Sequence, residues 1–440
     1  MTETDSGTNW WRPERPAIRA DVPGSPVAFG GLVAFTAILL LTPQTLLPVL
    51  KTLRIALLAA GVSILAHMFD TTARRQPIVR SRREVVIAFA LLIWAAITIP
   101  FSYWPSGSVA LLSDQYLKAV IFFWLIATLV TTRQRLRTFA WALVLCSIPL
   151  ALIGIQHFRS GEFLYTGVAG LKRIAGYSGL SGNPNDLALT LNLIIPIAGA
   201  LIALSRGVVA RSLAAGALIL SVITVIVTFS RAGFLTLAAI GILSVIFIVK
   251  RRAPAVAVII VAATLTVVPL LPAGYMERLS TITDFEADPT GSAQGRWSDY
   301  RVATRLVVAN PILGAGIGQD ILALDRLRER ATWRSIHNAY LEYAVDLGLP
   351  GLLLFLWLLV ATFRSARRVE SRASTEPSLR DLCLLASSVQ IALAAFAVAA
   401  FFHPIAYQFY FFCVAGLAVA LRNACVAELS AVPAEPRSSS

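Results

Sequence analysis

The chain has 440 residues, 57% of them hydrophobic and only 14% charged, with a mean hydropathy of +0.73. Soluble globular chains are about half apolar and roughly a quarter charged, so this composition excludes that class and points to a polytopic membrane protein. The formal charge of +14 would suggest nucleic acid in a soluble protein; here basic loops that orient membrane helices account for it, and no nucleic-acid partner is expected.

In hydrocarbon every backbone polar group must be paired, which leaves helices or a closed barrel. Long apolar runs without alternation decide for helices, and the expected fold is all-α, with about twelve spans and a large helical outward loop. Residues 1–27 are polar, with Trp10, Trp11 and Pro13, and form an N-terminal tail expected in the cytoplasm. They contain no short apolar core, so a cleavable leader is not expected and the first span serves as the targeting signal.

Nine spans fall within 28–272, at 28–46, 52–69, 84–103, 115–131, 138–156, 187–204, 211–229, 232–249 and 254–272. Three more fall within 347–422, at 347–363, 382–401 and 405–422, and residues 423–440 are expected to be a disordered cytoplasmic tail. Basic runs at Arg74–Arg83, Arg133–Arg137, Arg206/Arg211, Lys250–Arg252 and Arg364–Arg380 occur at every second connection, which places both termini in the cytoplasm of an inner-membrane protein. The turnaround at 43–55, with Pro43, Pro48, Lys51 and Arg54, fits this pattern least well. None of Cys146, Cys383, Cys413 and Cys425 falls in an outward loop, so no disulfide is implied.

Two outward connections are long, 157–186 and 273–346. In the first, Asn183-Pro184-Asn185 marks a turn, and Asn185–Asp186 can cap the sixth span or offer amides to a sugar. In the second, Ser298–Asp299 resembles a helix start, and Val302, Leu306 and Val307 follow at helical spacing until Pro311. A second helix is expected over 319–333 and a third from 335 into the tenth span. Gly314, Gly316 and Gly318 read as a tight turn between helices, because a phosphate-cradling loop requires a preceding strand.

Twelve basic residues fall on or near the outward face against the orientation rule: Arg159, Lys172, Arg173, Arg231, Arg278, Arg296, Arg301, Arg305, Arg326, Arg328, Arg330 and Arg334. Arg231 lies between two spans with almost no loop, where a cation needs a partner, a polar site or a route to the lipid headgroups. His337 opens a helical run with Tyr340 and Leu341 and can exchange a proton or bind phosphate. His157 and His403 reach the same face, and His67 reads as structural. No metal motif occurs, whereas arginines can bind a pyrophosphate in bidentate fashion and neutralise a leaving group. The expected site is outward-facing, needs no metal or cofactor, and takes an anionic substrate; Arg301, Arg305 and Arg334 are further candidates to bind it.

Four segments in order, KRIAGYSGLSGNPNDLA, TFSRAGF, GRWSDYRVATRLVVANPILGAGIG and HNAYLEYAVDLGLPG, resemble the bacterial O-antigen ligase and polymerase family of polytopic glycosyltransferases. The likeness covers 170–365 closely and the remainder by hydropathy. It implies transfer of a glycan from undecaprenyl pyrophosphate, at the periplasmic face, to a hydroxyl of the lipid A core, another glycan or a protein, in lipopolysaccharide or exopolysaccharide synthesis. It further implies that Arg231 and Arg296 hold the pyrophosphate and that His337 activates the acceptor or binds phosphate. Asn185 and Arg173 carry over only as members of a motif. Tyr177 and Leu180 depart from the family's phenylalanine form, a difference of packing more than chemistry. Ligase and polymerase differ in the acceptor pocket and stay open. A carrier or flippase of lipid-linked sugars is the alternative from another class; such carriers place ionisable groups near mid-membrane, whereas here the polar residues lie on one face.

Overall fold

The computed structural model describes residues 24–45, 47–76, 83–162, 182–250, 292–328 and 333–431, with 174, 176 and 258 as isolated positions. The chain folds as helices: α1 Pro26–Leu41, α2 Ile55–Ala73, α3 Arg83–Thr98, α4 Pro105–Leu129, α5 Arg133–Ser160, α6 Pro184–Leu204, α7 Val208–Val227 and α8 Arg231–Lys250. After them come α9 Ser292–Ala309, α10 Asp320–Asp325, α11 Ala339–Ala373, α12 Arg380–Ala399 and α13 Phe409–Ala431. Among the described residues ten helices are long and apolar enough to cross a membrane, and α1 is a shorter apolar helix. The protein is an all-α, multi-pass membrane protein. Each expected span but one overlaps a described helix; 254–272 lies, apart from position 258, outside the described residues, as do 1–23 and 432–440.

Boundaries differ from the sequence reading where local chemistry intervenes. The turnaround at 43–55 is a left-handed Thr42, a 3-10 turn at Pro43–Thr45, a short helix Pro48–Thr52 and a left-handed Arg54. The last helix continues to Ala431, so the expected disordered tail from 423 begins as helix, with Asn423 donating to the Ala127 carbonyl at 2.8 Å.

Helices α6, α12 and α13 are the most enclosed, whereas α2, α7 and α8 turn most of their surface outward. Uniformly apolar helices behave in this way because nothing in their sequence selects a single buried stripe.

The two ends of the bundle carry different chemistry. At one end, Arg422 Nη1 meets Glu84 Oε1 at 2.8 Å and Arg133 Nη2 meets Asp381 Oδ2 at 2.8 Å. There too, Asp70 accepts from the Ser25 amide at 3.1 Å and Arg135 donates to the Gly24 carbonyl. These residues belong to the basic connections. At the other end, the Phe158 and Phe229 rings stack at 6.3 Å, Ser230 Oγ donates to Asn185 Oδ1 at 2.7 Å, and the Ala339 amide donates to the Ala400 carbonyl at 2.7 Å.

Candidate functional site

The segment 310–349 is assembled around a break in α11. Pro350 has no N–H to offer the Asp346 carbonyl, and Gly348 sits at φ 66°, ψ −174°, so the helix opens here. The carbonyls it releases are taken up from outside. Val345 accepts from the Ala315 amide at 2.7 Å, Asp346 from Gly316 at 2.9 Å, and Leu347 from Trp94 Nε1 at 2.8 Å. In return the Leu349 amide donates to the Pro311 carbonyl at 2.7 Å. Gly316, at φ 95°, lies so close to Ser102 that a Cβ there would collide with its side chain. The expected tight turn at Gly314–Gly318 is present, and its role is to pair the broken helix.

The carboxylate of Asp346 lies under this turn, fully buried. Its oxygens accept from the Gly318 amide at 2.8 Å, the Gln319 amide at 3.1 Å and the Tyr407 hydroxyl at 3.0 Å. Asp320 accepts from the Ile336 amide at 2.8 Å, which fastens the strap leading to His337. Burial, only partly offset by these amides and by Arg328, raises the Asp320 carboxyl to about 6.

Helix α9 starts earlier than Ser298–Asp299 suggested, at Ser292, and turns Asp299 inward. Asp299 Oδ1 accepts from Arg328 Nη2 at 2.8 Å and Nε at 3.1 Å, and its Oδ2 accepts from Arg334 Nη2 at 3.0 Å. Arg328 also meets Asp325 at 2.6 Å, and Arg326 stacks on the Tyr103 ring at 4.3 Å. Two of these arginines, Arg326 and Arg328, are therefore built into the scaffold. Arg334 is half in each role. Asp299 holds one of its nitrogens and its guanidinium rests on Gly295, yet its buried Nε has no hydrogen-bond partner among the described residues.

Helix α10 ends at Asp325, well short of the expected 333, and the Asp325 carboxylate accepts from the Trp333 amide at 2.9 Å. Nor does His337 begin the next helix. Asn338 is the N-cap, its side chain accepting from the Tyr340 amide at 3.0 Å and the Leu341 amide at 3.1 Å, so His337 lies in a bend that precedes α11. The backbone carbonyl of His337 accepts from the Tyr300 hydroxyl at 3.1 Å.

The His337 ring is half-buried, with Nδ1 3.0 Å from the Ser335 carbonyl. A carbonyl can only accept, so Nδ1 carries the proton and Nε2 keeps its lone pair. Burial, together with the charges of Arg296 and Arg334 and the nearby His403, pushes the imidazole down to about 4. The ring is neutral at neutral pH, with a basic nitrogen in a cationic setting. His403, buried, directs its own Nδ1 to the Ala399 carbonyl at 3.0 Å.

A second group forms where α6 and α8 begin. Asn183, not Asn185, caps α6, accepting from the Asn185 amide at 2.9 Å and the Asp186 amide at 3.0 Å. Asn185 instead receives the Ser230 hydroxyl, and Ser230 in turn accepts from the Gly233 amide at 3.0 Å. Arg231 is the first residue of α8 and is half-buried. Its cation therefore adds to the positive end of a helix dipole, which suits an anion. Helix α12 packs on both α6 and α8, and the chain leaving its end accepts from Ala339 and Tyr300 of the first group. It links the two groups.

Of the residues singled out in the sequence, Arg296, Arg334 and His337 come together, and Asn185 and Arg231 come together. Arg301 and Arg305 lie on the exposed side of α9, away from the buried stripe that carries Asp299 and Ala303. Lys172, Arg173, Tyr177, Leu180, Arg278 and Arg330 are outside the described residues. His157 is buried beside Glu162 at 3.5 Å and His67 packs edge-on to Trp124 at 5.6 Å. Sequence reasoning overlooked Tyr300, Asp320 and Asp346, and took Asp299 for a helix start only. Acids within a basic loop were the available signal, but which arginine each one neutralises is not a local property.

A family model described as O-antigen ligase matches residues 216–356, a stretch that runs from within α7 through the break in α11. No curated protein matches the chain.

Proposed function

We propose, from the match of residues 216–356 to the O-antigen ligase family model, that the chain transfers a glycan from undecaprenyl pyrophosphate to an acceptor hydroxyl at the periplasmic face of the inner membrane. The coarser function, glycan transfer in polysaccharide synthesis by a membrane protein, follows from the family. The observation that supports the finer reading is the neutral His337, with Nδ1 committed to Ser335 and Arg296 and Arg334 beside it.

In this reading Arg231 and Arg296 hold the pyrophosphate. The acceptor oxygen attacks the anomeric carbon, the bond from that carbon to the phosphate oxygen breaks, and the electron pair leaves on the pyrophosphate. The arginines stabilise the charge that develops there. The acceptor proton passes to His337 Nε2. Bound pyrophosphate offsets the field of the two guanidiniums, which makes the imidazole a stronger base when substrate is present. A lipid pyrophosphate is an activated leaving group, so charge stabilisation and positioning supply the rate without a nucleotide or a metal.

Purified protein, lipid-linked glycan and acceptor test this. His337→Ala should lose roughly 100-fold or more in transfer, the usual range for a proton-transfer group. Arg296→Ala and Arg231→Ala should each lose on the order of 100-fold, while all three accumulate in the membrane. Normal transfer by the three would remove the assignment. Full activity should persist in EDTA, and loss on chelation would refute the metal-free mechanism. Product analysis separates the two family readings: lost polymer length identifies a polymerase, and intact but unattached polymer a ligase.

The carrier reading would draw on the broken α11 and its buried Asp346. Both oxygens of that carboxylate and the carbonyls of Val345, Asp346 and Leu347 are already paired within the protein, so the break serves the loop that carries His337.

A further inference from the structure

The outward side of α9 has no role in the chemistry above. Trp297, Arg301, Thr304, Arg305 and Val308 recur at helical spacing on this side and, with the Tyr300 ring, line a groove of about 530 Å³. Trp297 is 63% exposed and Val308 75% exposed, on a helix that is not among the membrane-crossing ones. Large apolar side chains left bare on such an element mark a contact surface when they adjoin. Among the described residues neither Arg301 nor Arg305 has a carboxylate partner, because Asp299 faces the other way and is taken by Arg328 and Arg334.

We propose that this groove binds saccharide, as a subsite for the sugars of the transferred glycan. An exposed indole presents a flat face to the C–H side of a pyranose, while two guanidinium forks and a threonine hydroxyl can pair with ring hydroxyls; that is the mix of apolar wall and few polar groups that orients a small ligand. Tyr300 gives the groove its position. It lines the groove, while its hydroxyl donates inward to the Phe401 carbonyl at 2.8 Å and lies 3.1 Å from the carbonyl of His337. The groove thus borders the residue that holds the His337 backbone, and it runs along α9 from Trp297 to Val308. At 1.5 Å of rise per residue that is roughly 16 Å, the length of a short oligosaccharide.

This proposal rests on the glycan-transfer reading, but it has its own measurement. The probe is the oligosaccharide released by mild acid from the source organism's own lipid-linked glycans, so that it carries neither pyrophosphate nor prenyl chain. Binding is read by saturation-transfer NMR on the full-length protein in lipid nanodiscs. Wild type and His337→Ala should bind the probe alike. Trp297→Ala and Arg305→Ala should bind it about tenfold more weakly or worse, the effect of losing one anchoring contact, and Trp297→Phe should recover much of the loss. Unchanged binding by Trp297→Ala, or no binding by the wild type, overturns the subsite. So does quenching of the Trp297 fluorescence by brominated lipid, which would assign the ring to the membrane surface. Were His337→Ala to transfer normally while Trp297→Ala still lost the probe, the catalytic assignment would fall and the groove would stand.

Discussion

Burial and the neighbouring cations hold His337 near 4, so between pH 5 and 8 its ring is neutral and its Nε2 can accept a proton. The free enzyme is what kcat/KM reports, so its acid limb should appear as pH approaches 4, with no decline through 6.5. The limb of kcat, which reports the complex with pyrophosphate bound, should lie at higher pH. A kcat/KM limb at 6.5 would show that neither burial nor the arginines perturb the ring. Asp320 shifts the other way, up to about 6 from an ordinary 3.8. A raised carboxyl contributes stability below 3.8 that is lost as pH rises through 6, because above it the folded chain carries a buried charge. Asp320→Asn keeps an acceptor for the Ile336 amide and removes that charge. Its Tm should exceed that of wild type at pH 7.5, and the gap should close below about pH 4. A wild-type advantage that grows with pH would contradict the assignment.

At the scale of elements, the break in α11 and the glycine turn are a single device, since each satisfies what the other leaves open. Gly348 shows how tightly they meet: at φ 66° a side chain is strained, and a Cβ would collide with the Ile312 carbonyl. Gly348→Ala should therefore lower Tm by several degrees and abolish transfer, because the turn that carries α10 and the His337 strap can no longer seat. Gly216→Ala is the control. That glycine lies inside α7 with open space about its Cβ position, and alanine there should raise stability by about 0.5–1 kcal/mol. Equal effects at the two positions, read by thermal unfolding in detergent, would mean that the turn and the break are not coupled. The hydropathy pattern could place a glycine turn at 314–318 and a proline in the tenth span. It could not show that they pair, because some thirty residues separate them.

For the whole molecule, the basic connections gather at one end and the two candidate groups at the other. The orientation rule would set the basic end in the cytoplasm. In a variant lacking Cys146, Cys383, Cys413 and Cys425, a cysteine at Thr304 should react with an impermeant maleimide from the periplasmic side. One at Ser378 should react only after the inner membrane is opened. The reverse pattern would invert the topology and with it the proposed compartment of transfer.

Sequence alone determined the helical class, the alternation of basic connections and the position of the long connection at 273–346, because hydropathy, charge spacing and turn residues are local properties. It also singled out Arg231, Arg296 and His337, since a cation or an imidazole among apolar spans is conspicuous wherever it lies. Only the tertiary structure decided which charges are taken up by the scaffold. Asp299 takes Arg328 and half of Arg334, α9 turns Arg301 and Arg305 away from His337, and Asn338 ends the strap so that the histidine stays outside the helix. Charge pairing depends on distances of about 3 Å between residues tens of positions apart, and those distances exist only once the chain has folded.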